Sequence, residues 1–420
     1  MPAPCRMRRV ALGAAAAVLF ACGHAAAQQV SIGPSALIED VRQQLAPDRR
    51  TTVFDVRVVE GGIGAGVTPG SPSAASPGTT VTLTGEIHSA ALKKELLALL
   101  AKEPRYTFVD QIQALPHPDL GDRIHGVVGA SVINIRTKPD HAAEMATQAV
   151  LGTPLHVLKR DRGWFYVQTP DRYLGWTNDV ITMMTPAEFA RWSTRPKVLV
   201  TTEVAFLRKG TDAASPVVSD VVAGALLAVT GEAAGHYDVE YPDGRTAVLP
   251  RAMAQEYPAW VAAARDTPES IVATARRFTG VPYLWGGTSA KGMDCSGFTK
   301  TVYFLNGVLL PRDASQQVEV GEWIDTSAGI DLRPGDLLYF GTRATGQRKE
   351  RVTHVAISLG GARFIHASSD VRVNSLAASD PDFAPDRKAT FLRARRVIGV
   401  GAAQGVLRLK DLPYYGVSHD

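Results

Sequence analysis

Three side chains in the C-terminal part of this sequence have the types needed for nucleophilic catalysis: Cys295, His354 and His366. Cys295 opens a run in which Phe298, Val302 and Leu305 recur on one helical face. Asp294 stands at the capping position, and Asn306 and Gly307 end the pattern. A thiol at a helix start feels the positive end of the helix dipole and unpaired backbone N–H groups, both of which favour thiolate, the reactive form. Such a nucleophile needs a base within hydrogen-bond reach, and the base needs a third group to orient it.

The segment "VTHVAISLGGARFIHAS" reads as a β-hairpin that supplies both. In its first strand Val355, Ile357 and Leu359 share one face, and His354, Ala356 and Ser358 the other. Placing His354 opposite His366 pairs Ser358 with Ala362 and leaves Leu359, Gly360 and Gly361 as a three-residue loop with glycine for its left-handed position. In that register the imidazoles stand on one face, roughly 5 Å apart at Cβ, close enough for His366 to steer His354. No HExxH or paired CxxC spacing occurs, so neither a metal nor any other cofactor is expected.

These groups must be held by packed domains. With 420 residues and 45% hydrophobic composition, the chain is long enough for two to four units of ordinary size. Residues 28–120 suggest a small α+β module: alternating stretches at Val53–Val59 and Thr80–Ile87, a helix from Ser89 with Leu92, Leu96, Leu99 and Leu100 on one side, and a further strand at Tyr106–Ile112. Gly61–Thr79, rich in Gly, Pro and Ser, reads as a linker within it. Residues 121–185 and 195–257 each carry short strands separated by polar turns, the pattern of small β-barrels. Trp164 and Trp176 fit either a barrel core or a ligand platform, the core being the commoner use. From Thr267 the texture changes: Pro268 and Glu269 open an amphipathic helix through Phe278, the start of a unit at 267–400 that carries the chemistry, followed by a tail at 401–420.

Arg6, Arg8 and Arg9, the apolar run Val10–Ala21 and the small residues Ala25–Ala27 have the order of a secretory signal cleaved before Gln28. The run is shorter than the roughly 20 residues a membrane span requires. Of 3 cysteines, Cys5 and Cys22 would leave with this segment, and Cys295 alone would enter an oxidising compartment, where a lone thiol is an intermolecular partner or a reactive group. Lipid attachment at Cys22 is the alternative to soluble, periplasmic export. The formal net charge of +4, spread without a dense Lys/Arg stripe, argues against nucleic acid as a partner.

The segments "VPYLWGG", "MDCSGF", "LPRDASQQ", "LRPGDLLYF", "THVAISLGG" and "FIHAS", in this order between about Pro268 and Gly399, resemble the NlpC family of papain-like cell-wall cysteine peptidases. "NIRTKPD", "GWFYV" and "YLGW" resemble a bacterial SH3-like domain, the stretch after Lys197 does so more faintly, and "VTLTGEIHSAALKKELLALLAKEP" faintly resembles a BON-type module. The fold implied is α+β: a papain-like domain, in which the cysteine helix packs on an antiparallel sheet, preceded by two SH3-like barrels and the small module.

The arrangement resembles the subgroup that hydrolyses the γ-D-glutamyl bond to diaminopimelate or lysine in peptidoglycan stem peptides, chiefly fragments with a free N-terminal L-alanine. By that resemblance Cys295 attacks, His354 carries the proton and His366 orients the imidazole. Tyr283 either donates to the oxyanion with the Cys295 backbone N–H or is a packed tyrosine, and Gly286 and Gly287 let backbone approach substrate closely. Asp313, Glu144 and Tyr173 occupy positions that read the free amine, although Glu144 and Tyr173 also suit a plain surface. Asp294 and Ser296 belong to the substrate-facing set. Arg312 would meet the D-glutamate carboxylate with Ser296, or else form an ion pair with Asp294. Ala314 stands where many relatives carry a hydroxyl, and "RATGQRKER" is a basic insert read as a solvated loop. The expected enzyme is a monomer acting on peptidoglycan-derived peptides. A hydrolase of intact wall and a non-catalytic wall-binding protein are the alternatives.

Overall fold

The computed structural model describes residues 33–59, 79–327, 329, 331–412 and 414. The leader expected at 1–27, with Cys5 and Cys22, and the linker expected at 61–79, apart from its last residue, lie outside the described residues.

The N-terminal unit opens with a helix, Pro34–Leu45, that the strand-centred reading of this region did not anticipate. The strands Phe54–Val59, Thr79–Ile87 and Tyr106–Ala114 form one sheet, its first pair antiparallel and its second parallel. A parallel pair needs a crossover, and the helix Ala90–Leu100 provides it, started by the Ser89 hydroxyl accepting from the Leu92 N–H. Leu96 and Leu100 bury against Leu83 and Ile87 of the central strand.

Two sheets of seven short antiparallel strands follow, one spanning His125–Val128 to Ile181–Met184, the other Lys197–Val200 to Ala254–Glu256. Ile133, Val157 and Val167 lie in the core of the first, Leu207, Val239 and Leu249 in that of the second. The helix Pro186–Thr194 joins them, entered through a reciprocal cap between Thr185 and Glu188. Trp164 is buried, while Trp176 lies against Tyr166 with the Lys159 ammonium over its ring.

The last unit packs the helices Pro268–Arg277 and Cys295–Phe304 on a six-stranded antiparallel sheet. Its strand order is Glu322–Ile324, Phe391–Arg396, Leu337–Thr342, Arg351–Gly360, Arg363–Ala367 and Val371–Ser375. Because side chains alternate along a strand, Tyr339, Val355, Ile357 and Ile365 meet the helices, and Phe340, Ala356 and Phe364 form a second core on the far face. Of the stretch expected as a tail, residues 401–412 and 414 are instead part of the packed body. Leu407–Arg408 pairs with Val308–Leu309, Leu409 is buried, and the Tyr414 hydroxyl donates to the Gly152 carbonyl at 2.6 Å. No helix among the described residues is long and apolar enough to cross a membrane.

Candidate active site

Cys295 is the first residue of its helix, and the loop before it explains the position. Asp294 caps the helix by accepting from the Gly297 N–H at 2.7 Å, and its other oxygen accepts from the Gly286 N–H at 2.9 Å. Both oxygens are also gripped by Arg312, whose Nη1 and Nη2 lie at 3.0 and 2.6 Å. The Ser296 hydroxyl accepts from the same Nη1 at 2.9 Å, and Nε donates to Thr147 Oγ1 at 2.9 Å. Arg312 is 1% exposed and every one of its nitrogens has a protein partner. Asp294, Ser296 and Arg312, the residues implied as substrate-facing, are packed together here. They bind one another in a buried ion pair that fixes the start of the cysteine helix, the alternative already open for Arg312.

The two histidines are bonded, but not in the expected register. Ile357 pairs with Ile365, Ser358 with Phe364, and Gly360 with Arg363 across a bulge. The pairing is shifted by two residues from one that opposes His354 to His366, and Gly360 and Gly361 both take left-handed φ, 104° and 57°. A shift of two leaves both side chains on their original face, because the strand repeat is two. His354 Nε2 lies 2.7 Å from His366 Nδ1, and His366 Nε2 lies 3.0 Å from Asn374 Oδ1.

Proton positions in this chain follow from its far end. The Asn374 amide nitrogen donates to the Asp382 carbonyl at 3.0 Å, which turns Oδ1 toward His366. His366 then carries its proton on Nε2, accepts at Nδ1 from His354 Nε2–H, and leaves the His354 Nδ1 lone pair for another partner. Nothing in the sequence motifs singled out Asn374. It lies on the next strand, where His366 pairs with Arg372.

Cys295 packs against the strand that carries His354, in one core with Val355 and Ile357. Pairing between Arg351–Gly360 and Arg363–Ala367 stops at Ile357 and Ile365, so the first half of the former strand parts from its neighbour there. The Val355 N–H donates to the Cys295 sulfur, one residue along from His354, and the Ser296 N–H donates to it as well. Burial, followed by the charge of Asp294, pushes the Cys295 thiol up to about 11 against those donors. That burial opposes the helix-start effect expected to favour thiolate. Burial also holds His354 well below the ordinary imidazole range, with Arg387 and His366 acting in the same direction, and takes His366 down to about 4. Burial thus disfavours the charged form of the thiol and of both imidazoles, and the hydrogen-bond chain leaves His354 Nδ1 with its lone pair.

Two further groups share this environment. Burial and the nearby Cys295 raise the Tyr283 phenol, which keeps its proton available for donation. Arg387 donates to Ser368 Oγ at 3.3 Å, lies over the Phe340 ring at 5.9 Å, and interacts electrostatically with Cys295, Tyr283 and His354. It comes from the short helix Pro385–Thr390, which no sequence motif marked.

The first seven-stranded sheet docks beside this site. Its Gln148 accepts from the Thr288 N–H at 3.1 Å, and its Asp171 pairs with Lys300 at 2.7 Å. A Cβ on Gly286, at φ 79°, would stand 2.3 Å from the Met145 carbonyl. The close approach that this glycine permits is to the neighbouring sheet rather than to substrate, and a Cβ on Gly287 would meet the Gly292 carbonyl at 2.3 Å. The docking brings Glu144 to 2.7 Å from the indole N–H of Trp285, which is 59% exposed, and the Tyr173 hydroxyl to 3.1 Å from Asp313 Oδ2. The same Asp313 oxygen accepts from Arg50 of the N-terminal unit at 2.7 Å.

Comparison with known proteins agrees with this layout. Residues 280–385 match the NlpC/P60 family, and residues 135–178 match the bacterial dipeptidyl-peptidase Sh3 domain. The chain is 32% identical over 235 residues to a gamma-D-glutamyl-L-lysine dipeptidyl-peptidase of Bacillus cereus, covering 54% of this chain and 68% of that protein. It is 30% identical over 290 residues to dipeptidyl-peptidase 6 of Lysinibacillus sphaericus, covering 64% of this chain and 97% of that protein. A crystal structure of an NlpC/P60 family protein from Bacillus cereus superposes with a TM-score of 0.55 at 26% identity, over 65% of this chain and 99% of the other. Cys295 and the bonded histidine pair thus sit inside the matched segment, and this chain belongs to the NlpC/P60 family of cysteine peptidases.

Proposed function

We propose that the protein hydrolyses the γ-D-glutamyl–diamino acid bond of peptidoglycan stem peptides bearing a free N-terminal L-alanine, after export through its N-terminal leader. Cys295 attacks the γ-carbonyl carbon while its proton passes to His354 Nδ1, aimed by the His366–Asn374 chain. The Tyr283 hydroxyl and the Cys295 backbone N–H meet the oxyanion. Collapse of the tetrahedral species expels the diamino acid, whose amine takes the proton from His354, and leaves an L-Ala-γ-D-Glu thioester on Cys295. A water, deprotonated by the same imidazole, attacks the thioester, and L-Ala-D-Glu leaves as the thiol is restored.

The observation that carries the specificity is the junction of Tyr173 with Asp313, with Glu144 held at the same barrel–peptidase seam by Trp285. Carboxylates and a phenol at the contacts between a separate domain and the peptidase unit suit a small ammonium. The name of the Bacillus cereus relative, a gamma-D-glutamyl-L-lysine dipeptidyl-peptidase, supports the same bond class.

Incubating the enzyme with L-Ala-γ-D-Glu-diaminopimelate and its N-acetylated twin, with products read by mass spectrometry, tests the reading. Preferential cleavage of the free amine is expected. Equal cleavage of both would discard amine selectivity in favour of a hydrolase of intact wall.

A further inference from the structure

Arg50 stands at a meeting point of three units. Its turn is built by the Thr51 and Thr52 N–H groups on the Asp48 carbonyl, and the Asp48 carboxylate takes Arg50 Nε and Nη2 at 2.9 and 2.8 Å. The turn is fastened to the first seven-stranded sheet, where the Leu174 N–H donates to the Arg50 carbonyl at 2.8 Å and Gln168 donates to Thr51 at 2.7 Å. It is fastened to the peptidase unit too, since Gln316 donates to Asp48 and Arg50 Nη1 donates to Ser315 Oγ, each at 2.8 Å. With its base held on three sides, the guanidinium places Nη1 2.7 Å from Asp313 Oδ2, the oxygen that also accepts from Tyr173. The Arg50 and Asp313 side chains keep 38% and 27% of their exposure, so solvent and small ligands reach the pair.

We propose that Arg50 is a specificity-determining residue of the amine subsite, a built-in cation already seated on the carboxylate that a substrate ammonium would use. This rests on Asp313 reading the free amine, as proposed above. An ammonium arriving at Asp313 meets a charge partly compensated by a guanidinium that Asp48 also holds, and must share or displace it, so the preference for a free amine is set lower than Asp313 alone would give it. The N-terminal unit thereby tunes substrate choice at a site whose reacting groups it does not touch.

The test is the ratio of kcat/KM for L-Ala-γ-D-Glu-diaminopimelate to that for its N-acetylated twin, measured in the full chain for wild type, Arg50→Gln, Arg50→Met, Arg50→Lys and Asp313→Asn. Removing the charge in either neutral variant is expected to raise the ratio about three- to tenfold through a lower KM for the free amine, and Arg50→Lys to restore it. Two neutral variants guard against one failing to fold. An unchanged or lowered ratio in both, while Asp313→Asn collapses it, would overturn the role of Arg50 alone and leave it a strut. A ratio unmoved by Asp313→Asn would remove the amine reading itself.

Discussion

His354 and His366 are hydrogen-bonded at 2.7 Å although the ladder of their hairpin does not oppose them. The bond spans the place where the two strands part, which is also where the Val355 N–H meets the Cys295 sulfur. Replacing His354 by Ala should lower kcat by about 10²–10⁴-fold, the usual worth of a positioned acid–base group. His366→Ala should cost less, and Asn374→Ala least, with KM nearly constant in both. Steady-state kinetics on a stem peptide checks the order. A larger loss at Asn374 than at His366 would contradict the proton chain.

Burial that lifts the thiol to about 11 bears directly on its reactivity. Alkylation of Cys295 by iodoacetamide in the substrate-free enzyme should keep rising with pH from 7 toward that value, because the thiolate fraction grows tenfold per unit below the pKa. A rate already level between pH 6 and 9 would show a resting thiolate–imidazolium pair instead.

Both imidazoles are held neutral by burial, His366 down to about 4 from an ordinary 6.5. Between these values the unfolded chain binds protons that the folded one does not, so stability should be lost as pH falls from about 6.5 toward 4. In a double His354→Ala, His366→Ala variant that slope should flatten. Thermal unfolding followed across this window measures it.

Arg312 and Asp294 form a buried pair, and cutting one partner leaves the other charge unpaired. Arg312→Ala should destabilise the peptidase unit by about 3–5 kcal/mol, seen as a fall in its thermal transition. A variant that melts like wild type but binds substrate weakly would reinstate a substrate-facing arginine.

Gly286→Ala combines a left-handed backbone with a Cβ 2.3 Å from the Met145 carbonyl. The first seven-stranded sheet should be displaced from the peptidase unit, taking Glu144 with it, and KM for the free-amine peptide should rise more than kcat falls. The kinetic split distinguishes this from general unfolding, which would lower both the active fraction and the melting temperature.

The chemistry was legible in the sequence where local rules govern it. A capped helix start marked Cys295, and the two-residue strand repeat put His354 and His366 on one face even though the Gly360 bulge moved their register. What escaped was set by distance along the chain. Arg50 is 263 residues from Asp313, and Asn374 and Arg387 come from elements that follow the hairpin without a motif of their own. Arg312 shows the opposite limit, a residue the sequence left with two readings, for which the structure shows the ion pair with Asp294. Its guanidinium has Asp294, Ser296 and Thr147 around it and is 1% exposed.

The most direct test of the account is the covalent intermediate. Acid quenching during turnover of L-Ala-γ-D-Glu-diaminopimelate, followed by peptide mass spectrometry, should find the L-Ala-γ-D-Glu acyl group on Cys295. Adduct and product should both be absent with Cys295→Ala. Cleavage of the same peptide by Cys295→Ala at the wild-type rate would contradict it.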